Sequence, residues 1–355
     1  METVATLEKT TLLLNPLIEK EDVKREEEPS CSHQHKQKLS LVSYESLPEF
    51  LKHNEFVINY YRSEWPLKDA FLSLFAVHNE TLNIWIHLVG FFLFLSLTLS
   101  AMTMDPMNAN AMKATSQQLA NSTNTFLHSN NPVASVQLPM DAITVDMGPA
   151  TELVANISRW PFYAYLCGAM FCLLMSSTCH LLSCHSKHTS YIMLRLDYAG
   201  IISLIVTSFY PLVYYSFACS PFFQSLYITS ITVFGVTALL VSLLPAFEKP
   251  ELRWVRAGLF ASMGLSGLVP IVHKTILYAD KPEALITTCY EMVMGLFYAS
   301  GVVVYTTRAP ERWLPGKFDL AGQSHQLFHI LVIAGAYTHY LAGLVYVSWR
   351  EVEGC

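Results

Sequence analysis

The stretch SHQLFHILVIAGAYTHYLAGLVYVSW, residues 324–349, joins two histidines to a long apolar run. His325 and His329 are four residues apart, so a helix places both imidazoles on one face. The residues that follow are apolar for long enough to cross a bilayer, which takes about 20 residues. The stretch therefore predicts a membrane-spanning helix with a pair of imidazoles at its entrance.

The composition agrees with an integral membrane protein. Of the 355 residues, 52% are hydrophobic and only 14% are charged, whereas an average globular chain carries about 25% charge. The formal net charge is −6, and no basic stripe or strongly basic pI indicates a nucleic-acid partner. We therefore expect a multi-pass protein of the plasma membrane or an endomembrane that binds no nucleic acid.

Six further apolar segments are long enough to span a membrane, which predicts an all-α bundle of seven transmembrane helices. The seven predicted spans are 82–104, 160–182, 191–217, 221–246, 255–277, 285–306 and 324–348. The polar residues 1–43 are predicted to be a disordered tail, and the insert 105–159 to be flexible. Residues 44–81 form either amphipathic helices on the membrane surface or a small packed cap. Residues 350–355 are expected to be a short tail.

Lysine and arginine near the span ends predict the orientation. With a cytosolic N-terminus, nine basic residues lie on the inner side and five on the outer side. We therefore expect the N-terminus in the cytosol and the C-terminus outside or in a lumen. This orientation is opposite to that of a rhodopsin-like receptor, and span 3 lacks the Asp-Arg-Tyr triplet of that class.

Polar residues from three distant spans are predicted to lie at one depth. His180 lies near the end of span 2, Asp197 about two turns into span 3, and His325 and His329 in the first turns of span 7. Ionisable groups inside a membrane are costly and indicate function. Three neutral histidines with an open fourth position are typical of a catalytic zinc site. Ser176, one turn before His180, could donate a hydrogen bond to substrate or water.

Two roles are open for Asp197. It could bind the metal directly. We favour a position outside the first coordination shell of the metal, where Asp197 would hold a metal-bound water and accept its proton.

Other polar residues in the spans are expected to be structural. His87, His273 and His339 are more typical of core residues than of ligands. Lys274 and Glu291 either pair or, as we favour, remain apart, with Lys274 reaching the interface and Glu291 bonded to a hydroxyl. The eight cysteines contain no CxxC motif, and most behave as small apolar residues. We expect no structural disulfide.

Four motifs in order resemble the progestin and adiponectin receptor (PAQR) family: HNETLNIWIHLVG (78–90), SSTCHLLSCHS (176–186), RLDYAGI (195–201) and SHQLFHILVIAGAYTHY (324–340). The resemblance covers about residues 44–349 apart from the long insert. The sequence is most similar to the plant heptahelical branch of the family, which resembles the adiponectin receptors. The insert departs from the animal receptors, so the animal hormone is not an expected ligand.

The resemblance implies a seven-helix bundle with a cytosolic N-terminus and an intramembrane zinc held by His180, His325 and His329. It implies Asp197 beside the water on that zinc, with Ser176 as the motif serine. Adiponectin receptors are also similar to alkaline ceramidases in this arrangement, and act as slow hydrolases of the ceramide amide.

We therefore expect a receptor-class membrane protein whose zinc site is able to hydrolyse a lipid amide such as ceramide. A sphingolipid would be its substrate, and residues 1–81 could recruit cytosolic partners. The resemblance implies a role in plant hormone or stress responses. The main alternative is a non-catalytic receptor or scaffold whose zinc only braces the bundle. A transporter is disfavoured because no paired broken helices are apparent.

Overall fold

The computed structural model describes residues 39–103, 157–244 and 250–355. Nearly all of the predicted tail 1–43 and of the predicted flexible insert 105–159 lies outside these ranges. Within the described residues, seven helices are long and apolar enough to cross a membrane. Spans 1 to 7 are Thr81–Thr103, Trp160–Leu182, Lys187–Ser216, Pro221–Ser242, Arg253–Leu277, Pro282–Thr307 and Ser324–Glu353. The predicted seven-helix membrane bundle is confirmed.

Local sequence explains where several spans begin. Spans 2, 4 and 6 each carry proline in their first turn, where a missing N–H breaks no helical hydrogen bond. Span 3 begins after Ser186, whose hydroxyl accepts a hydrogen bond from the backbone N–H of Thr189 at 3.2 Å. Only residues 183–186 separate span 2 from span 3, so these two helices are antiparallel neighbours.

Glycines bring spans 2 and 3 into close contact. A Cβ at Gly200 would lie 2.9 Å from Cα of Cys172, and one at Gly168 would lie 2.1 Å from Oγ1 of Thr207. Spans 2 and 3 pack extensively against each other, as do spans 6 and 7. Large aromatic side chains fill the core, whereas apolar side chains such as Phe92, Leu240 and Ile276 are exposed on the outside. Such an exterior suits lipid rather than water.

Span 5 is interrupted within its length. It consists of the helices Arg253–Leu265 and Leu268–Leu277. Pro270 has no N–H to donate to the carbonyl of Ser266, which ends the first helix at this point. Pro211, by contrast, lies inside the continuous helix of span 3.

We call the end of the bundle at which span 2 ends and spans 1, 3 and 7 begin the histidine end, and the other the opposite end. At the opposite end, Cys219 and Cys355 form a disulfide with Cα atoms 5.1 Å apart. The expectation of no structural disulfide is therefore wrong. The two cysteines are separated by 136 residues, and their spacing in the sequence carries no signal of this pairing.

Span 7 continues to Glu353, beyond the predicted end at 348. Arg350 is 2% exposed and donates to the backbone carbonyls of Tyr215 at 2.5 Å and Ser216 at 3.1 Å. These are carbonyls at the end of span 3, which lack partners within their own helix. The predicted tail 350–355 is thus largely helix, because Arg350 anchors it to span 3.

Lys274 and Glu291 form an ion pair, contrary to the favoured prediction that they stay apart. Nζ of Lys274 lies 2.7 Å from Oε2 of Glu291, and both side chains are fully buried. The same ammonium donates to Tyr346 Oη at 2.7 Å and to Thr287 Oγ1 at 3.0 Å. The hydroxyl of Tyr346 donates in turn to Glu291. Lys274 therefore uses all three of its donors inside the protein and does not reach the interface.

Residues 42–80 pack as a small cap at the histidine end. Leu47, Leu51, Val57 and Tyr61 form a buried apolar cluster. An isolated antiparallel bridge joins Val42 to Tyr61. Of the two alternatives for this segment, the structure favours the packed cap.

Candidate metal centre

Three imidazoles meet at the histidine end. His180 belongs to the last turn of span 2, and His325 and His329 to the first two turns of span 7. One ring nitrogen from each lies within 4.8 Å of the other two, so the group could hold a metal ion. Nε2 of His180 and Nε2 of His325 are 3.1 Å apart. The structure therefore brings together the three predicted ligands.

Glu80, which directly precedes span 1, orients His180. Its Oε2 lies 2.8 Å from Nδ1 of His180 and accepts a hydrogen bond from Nδ2 of Asn83 at 2.6 Å. Burial acts to raise the pKa of the Glu80 carboxyl, but His180 and Asn83 outweigh it, and the pKa lies below its ordinary value. An ionised Glu80 accepts a hydrogen bond from Nδ1–H of His180, which leaves the lone pair of Nε2 available to a metal.

Arg62 of the cap fixes the backbone of the same turn. Its guanidinium donates to the carbonyls of His180 at 2.7 Å and Leu181 at 3.0 Å, and to Oγ of Ser73 at 2.5 Å. Carbonyls at the end of a helix lack partners within it and favour a cation. Arg62 is only 3% exposed, so the cap and span 2 hold this end of the site together.

The start of span 7 is held by Glu311 and by a capping box. The carboxylate of Glu311 accepts hydrogen bonds from the backbone N–H of Ser324 at 2.7 Å and from the Ser324 hydroxyl. The side chains of Gln323 and Gln326 form the capping box. Two independent anchors thus set the first turn of the helix, in which His325 lies.

His329 lies deeper than His325 and stacks on His87. Their ring centroids are 3.6 Å apart with planes inclined by 20°, and both residues are buried. Nδ1 of His329 makes no hydrogen bond to any residue that the structure describes. Buried polar atoms normally have a partner. A ligand or water is the natural partner for this ring.

Asp197 and Ser176 also lie at the site. Asp197 is half-buried and lines the same cavity as His180 and His325. Ser176 is 3% exposed, and its side chain lies close to the Asp197 carboxylate. The described residues that form the cavity wall do not include Ser176. Ser176 therefore lies beside the carboxylate rather than in the cavity wall.

Three other histidines of the spans lie outside the three-histidine group. His339 packs edge-on against Tyr165 with ring centroids 4.7 Å apart, and His273 hydrogen bonds to the Tyr227 hydroxyl at 2.9 Å. Neither belongs to the three-histidine group. His87 also lies outside that group, although it contacts a member of it.

Comparison with known proteins agrees with this fold. The chain matches the family described as haemolysin-III related over residues 75–340. It is 53% identical to heptahelical transmembrane protein 4 of Arabidopsis thaliana, covering 90% of this chain and 91% of the relative. It is 48% identical to heptahelical transmembrane protein ADIPOR3 of Oryza sativa subsp. japonica, covering 90% and 93%.

A more distant relative carries the receptor name. The adiponectin receptor protein of Drosophila melanogaster is 35% identical over 84% of this chain and 57% of its own length. The chain belongs to the haemolysin-III-related family, and its resemblance to the progestin and adiponectin receptors is confirmed. It is an adiponectin-receptor-like, heptahelical, integral membrane protein.

Proposed function

We propose that His180, His325 and His329 bind zinc. Zinc–nitrogen bonds of about 2.0–2.1 Å in a tetrahedral arrangement separate two ligand nitrogens by about 3.3 Å. The separation of 3.1 Å between Nε2 of His180 and Nε2 of His325 is close to this value. The unpartnered Nδ1 of buried His329 supports a ligand role for that ring. Three imidazoles without thiolates match a site with an open position rather than a closed structural one.

The orientation that we propose puts the histidine end in the cytosol. The predicted excess of lysine and arginine on this side supports it. The disulfide Cys219–Cys355 lies at the opposite end. Because disulfides persist in oxidising compartments, that end belongs outside or in a lumen, and the cap belongs with the reducing cytosol.

The chemistry that the site supports best is hydrolysis of a lipid amide such as ceramide. The observation that carries this proposal is Asp197, a carboxylate in the cavity wall beside two of the histidines. When bound, zinc supplies a Lewis acid and lowers the pKa of water toward about 7. Asp197 would be the general base that accepts the proton of the attacking water, with Ser176 positioned beside its carboxylate.

The names of the relatives suggest the biological setting. An adiponectin-receptor-like protein with such a site would act as a receptor or signalling protein whose output is a lipid product. The family resemblance stated from the sequence motifs implies a role in plant hormone or stress responses, which we retain as part of the proposal.

Metal analysis of the purified chain tests the zinc proposal. We expect about one zinc per chain in the wild type, and none in the His325→Ala/His329→Ala double variant. His273→Gln is the matched control, because His273 is an intramembrane histidine bonded to Tyr227, and it should retain the metal. A wild-type chain that holds no zinc, or a double variant that keeps it, would refute the proposal.

Turnover of ceramide by Asp197→Asn tests the catalytic part. Loss of a general base typically lowers the rate about 10²–10⁴-fold, while zinc content should stay at the wild-type value. If the wild type releases no sphingosine although it holds zinc, the alternative applies. The metal then only braces spans 2 and 7, and His180→Ala would lower thermal stability without any effect on lipid.

A further inference from the structure

A cavity at the histidine end is lined by an unusual set of cations. Its volume is about 200 Å³, and its wall includes Arg253, Arg256 and Arg308 beside His180 and His325. Arg256 is 7% exposed, and its guanidinium carbon lies 5.9 Å from the centroid of the Tyr198 ring. Arg253 lies over Tyr305 with a separation of 5.8 Å. The arginines come from span 5 and from the residue after span 6, so two elements direct positive charge at one space.

Among the described residues of the cavity wall, arginines outnumber acidic residues. Among the described residues of the wall, the acids are Glu80 and Asp197, and Glu80 is engaged with His180. Arg308 pairs with Glu55, which lies outside the wall and is 53% exposed in its side chain. A metal ion at the three histidines would add two further positive charges. Among the described residues, the charge of the wall is therefore net positive.

Donors in this wall are also unused. Nε of Arg253 and Nε of Arg308 are buried, and neither hydrogen bonds to any residue described by the structure. A buried N–H without a partner is unfavourable. Guanidinium groups present several donors in a fork that matches the oxygens of phosphate or carboxylate. An anionic ligand would satisfy both the charge and the donors.

The depths of these residues match the order of groups along a lipid. Arg253 is the first residue of span 5, and Arg308 follows the last residue of span 6, so both lie at the level of lipid headgroups. His325 lies in the first turn of span 7, and His329 lies about 6 Å further along the helix axis. In a membrane lipid with an acylated amine, a headgroup phosphate likewise lies outside the amide.

We propose that this cavity binds the anionic phosphate headgroup of an N-acyl lipid, with the amide of the same molecule directed at the three histidines. This inference rests on the proposed lipid-amide function and names its substrate class as phosphorylated rather than neutral. Arg253 and Arg308 bind the phosphate. Arg256 adds positive charge to the wall behind them.

Ligand binding to the zinc-loaded full-length chain in uncharged detergent tests the proposal. The probes are a short-chain ceramide phosphate, the neutral ceramide of the same chain length, and inorganic phosphate. The dissociation constant is taken from the rise in melting temperature with ligand concentration. We expect the phosphorylated lipid to bind at least tenfold more tightly than either of the other two.

Variants test whether the preference for the phosphorylated lipid arises in this cavity. Arg253→Gln and Arg308→Gln should each weaken binding of the phosphorylated lipid about tenfold, and should leave binding of neutral ceramide unchanged. Arg312→Gln is the matched control, because Arg312 is an exposed arginine at the same end outside the cavity wall. Zinc content, measured in parallel, reports whether each variant retains its fold.

Four other outcomes would overturn the inference. Equal binding of the two lipids, no binding of either, or variants that match the wild type would remove the headgroup site and leave the proposed hydrolysis to be judged by ceramide turnover. Inorganic phosphate that binds as tightly as the phosphorylated lipid would identify a free-anion site instead. A preference for the phosphorylated lipid without hydrolysis of any amide would support the headgroup site and refute the proposed function.

Discussion

Oε2 of Glu80 lies 2.8 Å from Nδ1 of His180, although 100 residues separate the two in the chain. The contact joins the residue before span 1 to the end of span 2, and it determines which nitrogen of His180 faces the other imidazoles. A carboxylate on the far nitrogen of a histidine ligand fixes its tautomer and makes it a better donor to a metal. Glu80 is therefore a positioning residue.

Replacing Glu80 by glutamine should weaken metal binding about 10–100-fold, because the histidine loses the anion that orients it. The measurement is competition for zinc against a chelator of known affinity. Glu49→Gln is the control, since Glu49 is an exposed acid of the same cap, 88% exposed in its side chain. Equal zinc affinity in Glu80→Gln and the wild type would contradict the role given to Glu80.

Removing one partner of the buried pair Lys274–Glu291 should destabilise the bundle strongly. Lys274→Met leaves the Glu291 carboxylate buried without its cation, which costs about 3–5 kcal/mol. The double variant Lys274→Met/Glu291→Gln should recover much of that loss, because no uncompensated charge remains. Unfolding in detergent micelles measures both.

The pair Lys281–Glu353 provides the comparison. It joins the residue before span 6 to the end of span 7 at 2.9 Å, and both side chains are about one-third exposed. Lys281→Ala should therefore change the stability little. A similar effect of Lys281→Ala and Lys274→Met would show that burial of the pair is not the cause.

The disulfide Cys219–Cys355 should be present in protein isolated without reductant. Peptide mapping after alkylation in denaturant without reductant should recover the two cysteines as one cross-linked fragment, while free cysteines such as Cys167 and Cys289 are alkylated. Reduction should lower the free energy of unfolding by about 2–4 kcal/mol, because the bond closes a long loop. Alkylation of Cys355 without reduction would contradict the pairing.

His78 should make the stability depend on pH. Its Nδ1 accepts from the backbone N–H of Glu80 at 3.1 Å, and its Nε2 lies 3.1 Å from the carbonyl of Ser73. Burial, followed by the nearby Arg62, lowers the pKa of His78 from 6.5 to about 4. Between these values the unfolded chain binds a proton that the folded chain does not. The stability is therefore complete above about pH 6.5 and falls as the pH drops toward about 4.

The size of this effect is about 3 kcal/mol across that window, since one pKa unit corresponds to about 1.4 kcal/mol. Chemical unfolding of zinc-free protein at several pH values measures it. His78→Gln should show a shallower decline than the wild type, while other histidines contribute equally to both. Parallel pH profiles for the two proteins would contradict the assignment.

The elements that could be predicted from the sequence are those set by local pattern. A run of about 20 apolar residues must become a helix in a bilayer, because its backbone has no other hydrogen-bond partners, so the seven spans were predictable. His180, His325 and His329 were predictable as a group because helix rise converts sequence position into depth.

Contacts between distant segments could not be predicted in the same way. Glu80 precedes span 1 as an ordinary loop acid, and nothing in its spacing relates it to His180. The HNET motif at 78–81 was the available signal, as part of the family resemblance. Likewise, the pairing of Lys274 with Glu291 and of Cys219 with Cys355 depends on which spans are neighbours, which hydrophobic periodicity does not specify.

Span 7 is one uninterrupted helix that serves both ends of the bundle. His325 near its start and Tyr346 near its end are about 32 Å apart along the axis. The helix is held near both of its ends. At one membrane face the contacts are those of the imidazoles and of Glu311, and toward the other they are those of Lys274 and Arg350. A sliding movement that separates His325 from His180 must also draw Tyr346 away from Lys274. A displacement of span 7 at one membrane face is therefore coupled to its contacts near the other face.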